Sequence, residues 1–205
     1  LDWSDGLIEQ SARTLDRLYA TLRDPEIGLL HQCRGFVAPG VLSPDHWSRG
    51  NGWCLLALAE FVQYLPEADP RRPDAERLFM DLLGACLGYQ NAEGLWHQEL
   101  SDPTSYVETS GSGLILYATG VGLERGLPIA GAEEAFRRGL QGYLGYIGED
   151  GSVFHTCQGC LCPGRGTVLD YKARPPVRND PHAFGPVILA FGQALRVGLG
   201  APEAR

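Results

Sequence analysis

The sequence predicts an all-α protein made of helical hairpins, and three observations carry that reading. Apolar residues recur with the helical period in six separate stretches. No strand-rich region of comparable length interrupts them, and short turns alternate with long Gly- and Pro-rich loops. The first helix is expected over 7–22, where Leu7, Ile8, Leu15, Leu18, Tyr19 and Leu22 recur before Asp24-Pro25 closes the run. The second, over 52–64, stops at Leu65-Pro66. The third, over 73–89, has Pro73 in the favoured first turn with acids behind it. The fourth, over 108–124, ends in Arg125-Gly126-Leu127-Pro128; the fifth covers 132–147, and the sixth 182–197 with Pro186 near its start. Residues 153–171 leave room for a β-hairpin.

The connections say where function gathers. Three loops, 30–50, 91–107 and 151–181, exceed the ~12–15 residues beyond which a loop in a compact domain is usually functional or disordered, and they carry Trp, His and Arg. Two of them share an echo, Gly28-Leu29-Leu30-His31-Gln32 and Gly94-Leu95-Trp96-His97-Gln98, each after a helix and an acidic turn. Repeated hairpins with such an echo predict an arrangement around an axis, with the long loops at one end.

Composition bounds the rest. The chain has 205 residues, 44% hydrophobic and 20% charged, which reads as one soluble globular domain, 1–205. No apolar run approaches the ~20 residues that span a bilayer. A net charge of −8 argues against nucleic acid. The chain opens on Leu1 and its only methionine is Met80, so further chain is expected upstream. Of six cysteines, Cys54 and Cys86 fall in apolar helical patterns and read as buried hydrophobes. Cys157, Cys160 and Cys162 cluster beside His155, a grouping open to zinc, a disulfide or a reduced loop; no second C-x-x-C or H-x-x-x-H accompanies it. The closely spaced thiols and the lack of a signal peptide point towards the cytoplasm.

The most telling stretch is Trp47-Ser48-Arg49-Gly50-Asn51-Gly52-Trp53, at the mouth of the second helix. The glycines suit a tight backbone turn into the helix, leaving N–H groups free. Arg49 offers a planar fork for a carboxylate, the two indoles suit the apolar side of a sugar ring, and Asn51 can both donate and accept. Together these make a sugar-acid pocket. The bland alternative is a helix start packed by two core tryptophans, with Arg49 paired to an acid such as Asp45.

These residues resemble the W-x-R-G-N-G-W signature of the unsaturated glucuronyl and rhamnogalacturonyl hydrolases, glycoside hydrolase families 88 and 105. Three further segments resemble the same family in the same order: DPEIGLLHQ at 24–32, GLWHQELSDPTSYVETSGSG at 94–113, and YKARPPVRNDPHAFGPVILA at 171–190. The likeness runs from about Asp24 to Leu195. It implies an (α/α)6 toroid, of which six long helices are about half. The remainder would come from an upstream segment or a second chain.

The implied reaction is removal of a 4,5-unsaturated uronic acid from lyase-generated oligosaccharides. An Asp protonates C4 of the enol ether and activates water for C5; the hemiketal then rearranges and the sugar leaves, with no cofactor. By the same resemblance Trp47, Arg49, Asn51 and Trp53 line the uronate subsite and His31 stands near the ring or the water. Trp96, His97, Gln98 and Glu108 come from the neighbouring hairpin, with Ser110 and Ser112, and Lys172 and Arg174 meet the leaving portion. Two candidates stand for the catalytic Asp. Asp5, in DWSDG, fits the family's W-x-D type but lies only 26 residues before His31 (31 − 5), short of the family spacing. Asp45, two residues before Trp47, is the substitute. The rival readings are a non-catalytic carbohydrate-binding relative, another (α/α)6 enzyme such as a lyase or epimerase, and a zinc-stabilised helical interaction domain.

Overall fold

The computed structural model describes residues 5–158 and 167–199. Among them the order is α1 (Asp5–Leu22), α2 (Ser48–Tyr64), α3 (Arg72–Leu87), α4 (Thr109–Glu124), α5 (Ala132–Leu144), β1 (Thr156–Cys157), α6 (Val168–Lys172), β2 (Pro176–Val177) and α7 (Phe184–Arg196). All six expected helices are present, with a short α6 added. The hairpin is a two-residue antiparallel ladder, Thr156 opposite Val177 and Cys157 opposite Pro176, so its second strand falls just beyond the expected stretch. No described helix is long and apolar enough to cross a membrane.

α2, α4 and α7 form a parallel inner layer. The start of α4 meets the start of α2 and of α7, and Gly120 late in α4 meets Gln193 late in α7. The outer helices run the other way. Arg72 at the start of α3 donates to the Val62 and Leu65 carbonyls at the end of α2, and Tyr143 late in α5 donates its hydroxyl to the Thr109 carbonyl opening α4. Ile8 near the start of α1 packs with Leu65 and Ala75, which makes α1 antiparallel to α2. Three inner and three outer helices in alternation are half of an (α/α)6 toroid.

α4 is the axis of this half. Residues 109–122 are buried without a break, as expected for a helix with neighbours on every side. Close approach requires its glycines. A Cβ on Gly111 would stand 2.7 Å from the Arg49 amide nitrogen, and one on Gly113 2.6 Å from Pro186 Cβ. α2 begins at Ser48, so Gly50 and Gly52 lie within the helix and do not form a turn before it. Gly52 is small because α4 is near: its Cβ would meet Leu114 Cβ at 2.8 Å.

Candidate active site

The long loops collect at the N-terminal ends of the three inner helices. Trp47 bridges to Glu99, and His97 to Val107, so residues 96–107 fold back beside the start of α2. The Thr109 amide donates to the His155 carbonyl, bringing in the third loop. A groove of about 260 Å³ lined by Arg13, Phe61 and Arg71 lies at the other end of α2, away from these loops.

A charged network ties the three loops together. Glu108 is fully buried and caps α4: Oε1 accepts from the Ser110 amide (3.0 Å), the Ser110 hydroxyl (2.6 Å) and the Cys157 amide (2.9 Å). Oε2 accepts from the Gly111 amide (2.6 Å) and the Ser48 hydroxyl (3.1 Å). Arg49, 1% exposed, answers it through shared partners, donating to Ser110 Oγ (2.9 Å) and to the Cys157 and Gln158 carbonyls (2.6 and 2.9 Å). The Cys157 residue is thus held at both polar backbone groups, N–H by the acid and C=O by the base. The guanidinium carbon lies 4.6 Å from the centre of the Trp47 ring, a cation–π contact.

Burial sorts the residues that the resemblance assigned to substrate. Trp96 is fully buried in the main core and donates Nε1–H to the Cys86 carbonyl at 2.7 Å. Asn51 accepts from the Leu30 amide and donates to the Leu30 and Trp47 carbonyls, pinning the first loop to α2. Gln98 is fully buried, its amide nitrogen 3.7 Å from Cys157 Sγ. Trp96, Asn51, Gln98, Glu108 and Arg49, which the resemblance assigned to substrate, are thus buried here and hold the loops of the site in place. They are sealed by this half alone, and more hairpins can only bury them further. Trp47, 7% exposed, packs with Tyr106 and Cys157. What stays accessible is Trp53, 47% exposed one turn beyond Arg49, with His31, His97, Lys172 and Arg174 partly so. His97 holds Nδ1 2.6 Å from the Ser105 carbonyl. Lys172 pairs with Asp102 at 2.6 Å, and this ammonium beside Asp102 helps hold its carboxyl down to about 2.

The two catalytic candidates fare differently. Asp5 opens α1 and feels the field of Arg71, in the turn after α2. α2 has 17 residues, so Asp5 stands roughly 25 Å, a helix length, from Trp47 and the loops. The direction of α1 therefore sets Asp5 at the end of α2 away from the three loops. Asp45 is at the right end but 1% exposed, with neither carboxylate oxygen well bonded among the described residues. Desolvation raises its carboxyl above the ordinary value, Glu99 adds to this, and Ser43 and His46 pull the other way. A native pKa above the unfolded ~3.9 means that stability is lost as pH rises through that window. Asp45→Asn is expected to raise the melting temperature near neutral pH, with the gap closing as pH falls towards about 4; thermal unfolding at several pH values measures it.

Asp24, His46, Glu99 and Tyr106 join the site only through packing. His31 and His46 lie with ring centroids 4.5 Å apart beside Asp24, and the Glu99 carboxylate accepts from the His46 amide at 2.6 Å. His46 lies between Asp45 and Trp47, and no local pattern sets it apart from them. Of the cysteine cluster, Cys157 is buried, whereas Cys160 and Cys162 lie outside the described residues.

Comparison with known proteins fits this architecture. The chain is 29% identical over 140 residues to the unsaturated rhamnogalacturonyl hydrolase YesR of Bacillus subtilis, covering 67% of this chain but 38% of that protein. It is 29% identical over 171 residues to protein Atu3128 of Agrobacterium fabrum, covering 75% of this chain and 73% of that one. A family 105 glycoside hydrolase from C. acetobutylicum superposes with a TM-score of 0.85 at 24% identity, over 94% of this chain and 59% of that one. The chain therefore spans well under half of YesR. The sequence model of Glycosyl Hydrolase Family 88 matches residues 3–197, nearly the whole length, and the chain belongs to that family.

Proposed function

We propose that this chain forms the C-terminal half of an (α/α)6 toroid that removes 4,5-unsaturated uronic acids from lyase-generated oligosaccharides by hydrating the enol-ether double bond. The observation that carries the reading is the Glu108–Arg49 network, which fixes three loops around the mouth of the inner helices and leaves the Trp53 ring open beside it. An indole face at that place suits the apolar side of a sugar. The network holds the backbone still, so the sugar meets a preorganised surface. α7 supports the half-toroid reading. Phe184, Ile188 and Leu195, 42%, 69% and 71% exposed, line one face of the last inner helix, where the next hairpin of a closed ring would pack. That hairpin belongs to the upstream segment or to a second chain.

In this reading the proton donor to C4 is a carboxylic acid of the remaining hairpins, since Asp5 faces the other end and Asp45 is sealed. The same two facts favour a second reading, a sugar-binding relative without turnover. Absorbance of the unsaturated uronate separates them. The protein with its toroid complete is expected to remove the chromophore of a lyase-generated disaccharide. A rise in absorbance would mean a lyase, and a flat trace with sugar bound would leave the binding relative. Trp53→Ala is expected to lower kcat/KM, or sugar affinity, by about 10–100-fold while shifting stability by less than ~1 kcal/mol, because half of the ring is already in water; steady-state kinetics and urea unfolding check both halves.

A further inference from the structure

We infer that Asp24, His31 and His46 form a site for a zinc-type divalent cation at the base of the first loop. This goes beyond the hydrolase reading and does not depend on it. Asp24 Oδ2 lies 3.3 Å from His46 Nε2 and 3.6 Å from His31 Nε2, and the three donor atoms all fall within 4.8 Å of one another. A tetrahedral ion with donors about 2.0–2.1 Å away spaces them about 3.3 Å apart. Asp24 Oδ2 thus stands at ion-pair distance from both imidazoles, a carboxylate shared by two rings. The His31 separation is too long for a bond, and His46 Nε2 is buried with no hydrogen-bond partner among the described residues.

The surroundings fix which His46 nitrogen is free. Ser101 Oγ donates to Glu99 Oε1 at 3.1 Å, so it accepts from His46 Nδ1–H at 3.0 Å. In the Nδ1–H tautomer the Nε2 lone pair faces the Asp24 carboxylate oxygen at 3.3 Å, the spacing of two ligands on one ion. A divalent cation between them would satisfy both atoms. Asp24 is prepared in the same way: Oδ1 accepts from the Glu26 and Ile27 amides, which leaves Oδ2 for the imidazoles. The carboxylate–serine–histidine chain behind Nε2 has the form of the outer partners that orient metal-bound histidines. Two imidazoles and one carboxylate select zinc and its neighbours over magnesium or calcium. The Asp24 and His31 side chains are 19% and 14% exposed, which admits water as the fourth ligand. Such an ion would staple the loop after α1 to the start of α2.

The test is metal binding by the chelator-treated protein, followed by calorimetry with Zn²⁺, a melting curve, and the absorption spectrum with Co²⁺. One equivalent of Zn²⁺, a melting temperature raised by several degrees and a Co²⁺ spectrum without thiolate charge transfer are expected, with Mg²⁺ inert. His46→Phe should abolish stoichiometric binding. Ser101→Ala keeps every ligand and should weaken binding about 10–100-fold, which keeps the test open if His46→Phe fails to fold. The paired change Cys160→Ser and Cys162→Ser should leave affinity unchanged. No stoichiometric Zn²⁺ on the parent protein would overturn the inference. So would binding that survives His46→Phe and Ser101→Ala but is lost with the cysteines, because the thiol cluster would then be the site.

Discussion

Glu108→Ala is expected to destabilise the protein by about 3–5 kcal/mol, since removing one partner of a buried ionic network leaves the other charge and its donors stranded. Five hydrogen bonds converge on this carboxylate, from the Ser110 amide and hydroxyl, the Cys157 and Gly111 amides and the Ser48 hydroxyl. Two of them satisfy amides at the start of α4, where the helix itself offers no acceptor. The Ser48 hydroxyl and the Cys157 amide belong to α2 and β1, so the loss reaches three elements. Arg49→Met is expected to cost a similar amount, because the Cys157 and Gln158 carbonyls and Ser110 Oγ then lose a charged donor. The two changes act on the same serine and the same backbone residue. Their combined effect should therefore fall short of the sum by about 1–3 kcal/mol, within the range for residues of one network. Urea unfolding of the four proteins measures this; strict additivity would mean that the acid and the base hold α4 and the third loop independently.

Gly111→Ala is expected to cost about 3 kcal/mol, the upper part of the usual range for overpacking. Its Cβ would stand 2.7 Å from both the Arg49 amide nitrogen and the Ser48 carbonyl carbon. These are backbone atoms inside a helix, so they cannot turn aside as a flexible side chain can. α2 and α4 would have to separate, and with them the Ser48 and Arg49 bonds to the loops. Gly84→Ala supplies the contrast. Gly84 lies in α3 with nothing within 4 Å of its added Cβ, so alanine should stabilise by about 0.5–1 kcal/mol through helix propensity. Urea midpoints with unchanged slopes would report both; a Gly111→Ala protein as stable as the parent would mean that the inner helices are free to slide apart.

The helices were legible because their cause is local. Apolar periodicity, Pro73 at a first turn and Leu65-Pro66 at a stop act within a few residues, and each expected helix is present with ends shifted by at most four residues. The largest shift, at the start of α2, has a tertiary cause. Gly50 and Gly52 look like turn residues by propensity, but the chain is already helical there and Gly52 is small to admit Leu114. The site was legible as a set of loops and not as a set of contacts. The W-x-R-G-N-G-W stretch lies where the three long loops meet, and of its four marked side chains only Trp53 is left open. A signature records which residues a place needs, not whether they face the ligand or hold the wall behind it.

By itself the sequence determined the all-α class, the six long helices, the three long loops and the family, because each follows from periodicity or from motif order along the chain. The tertiary structure alone decided the placements. It placed Asp5 at the far end by the direction of α1, and it sealed Arg49, Asn51, Trp96, Gln98 and Glu108 by the convergence of elements up to 109 residues apart (158 − 49). It also brought Asp24 and His31 to His46 across a loop. Burial and donor spacing depend on how distant segments pack, and no local pattern carries that information.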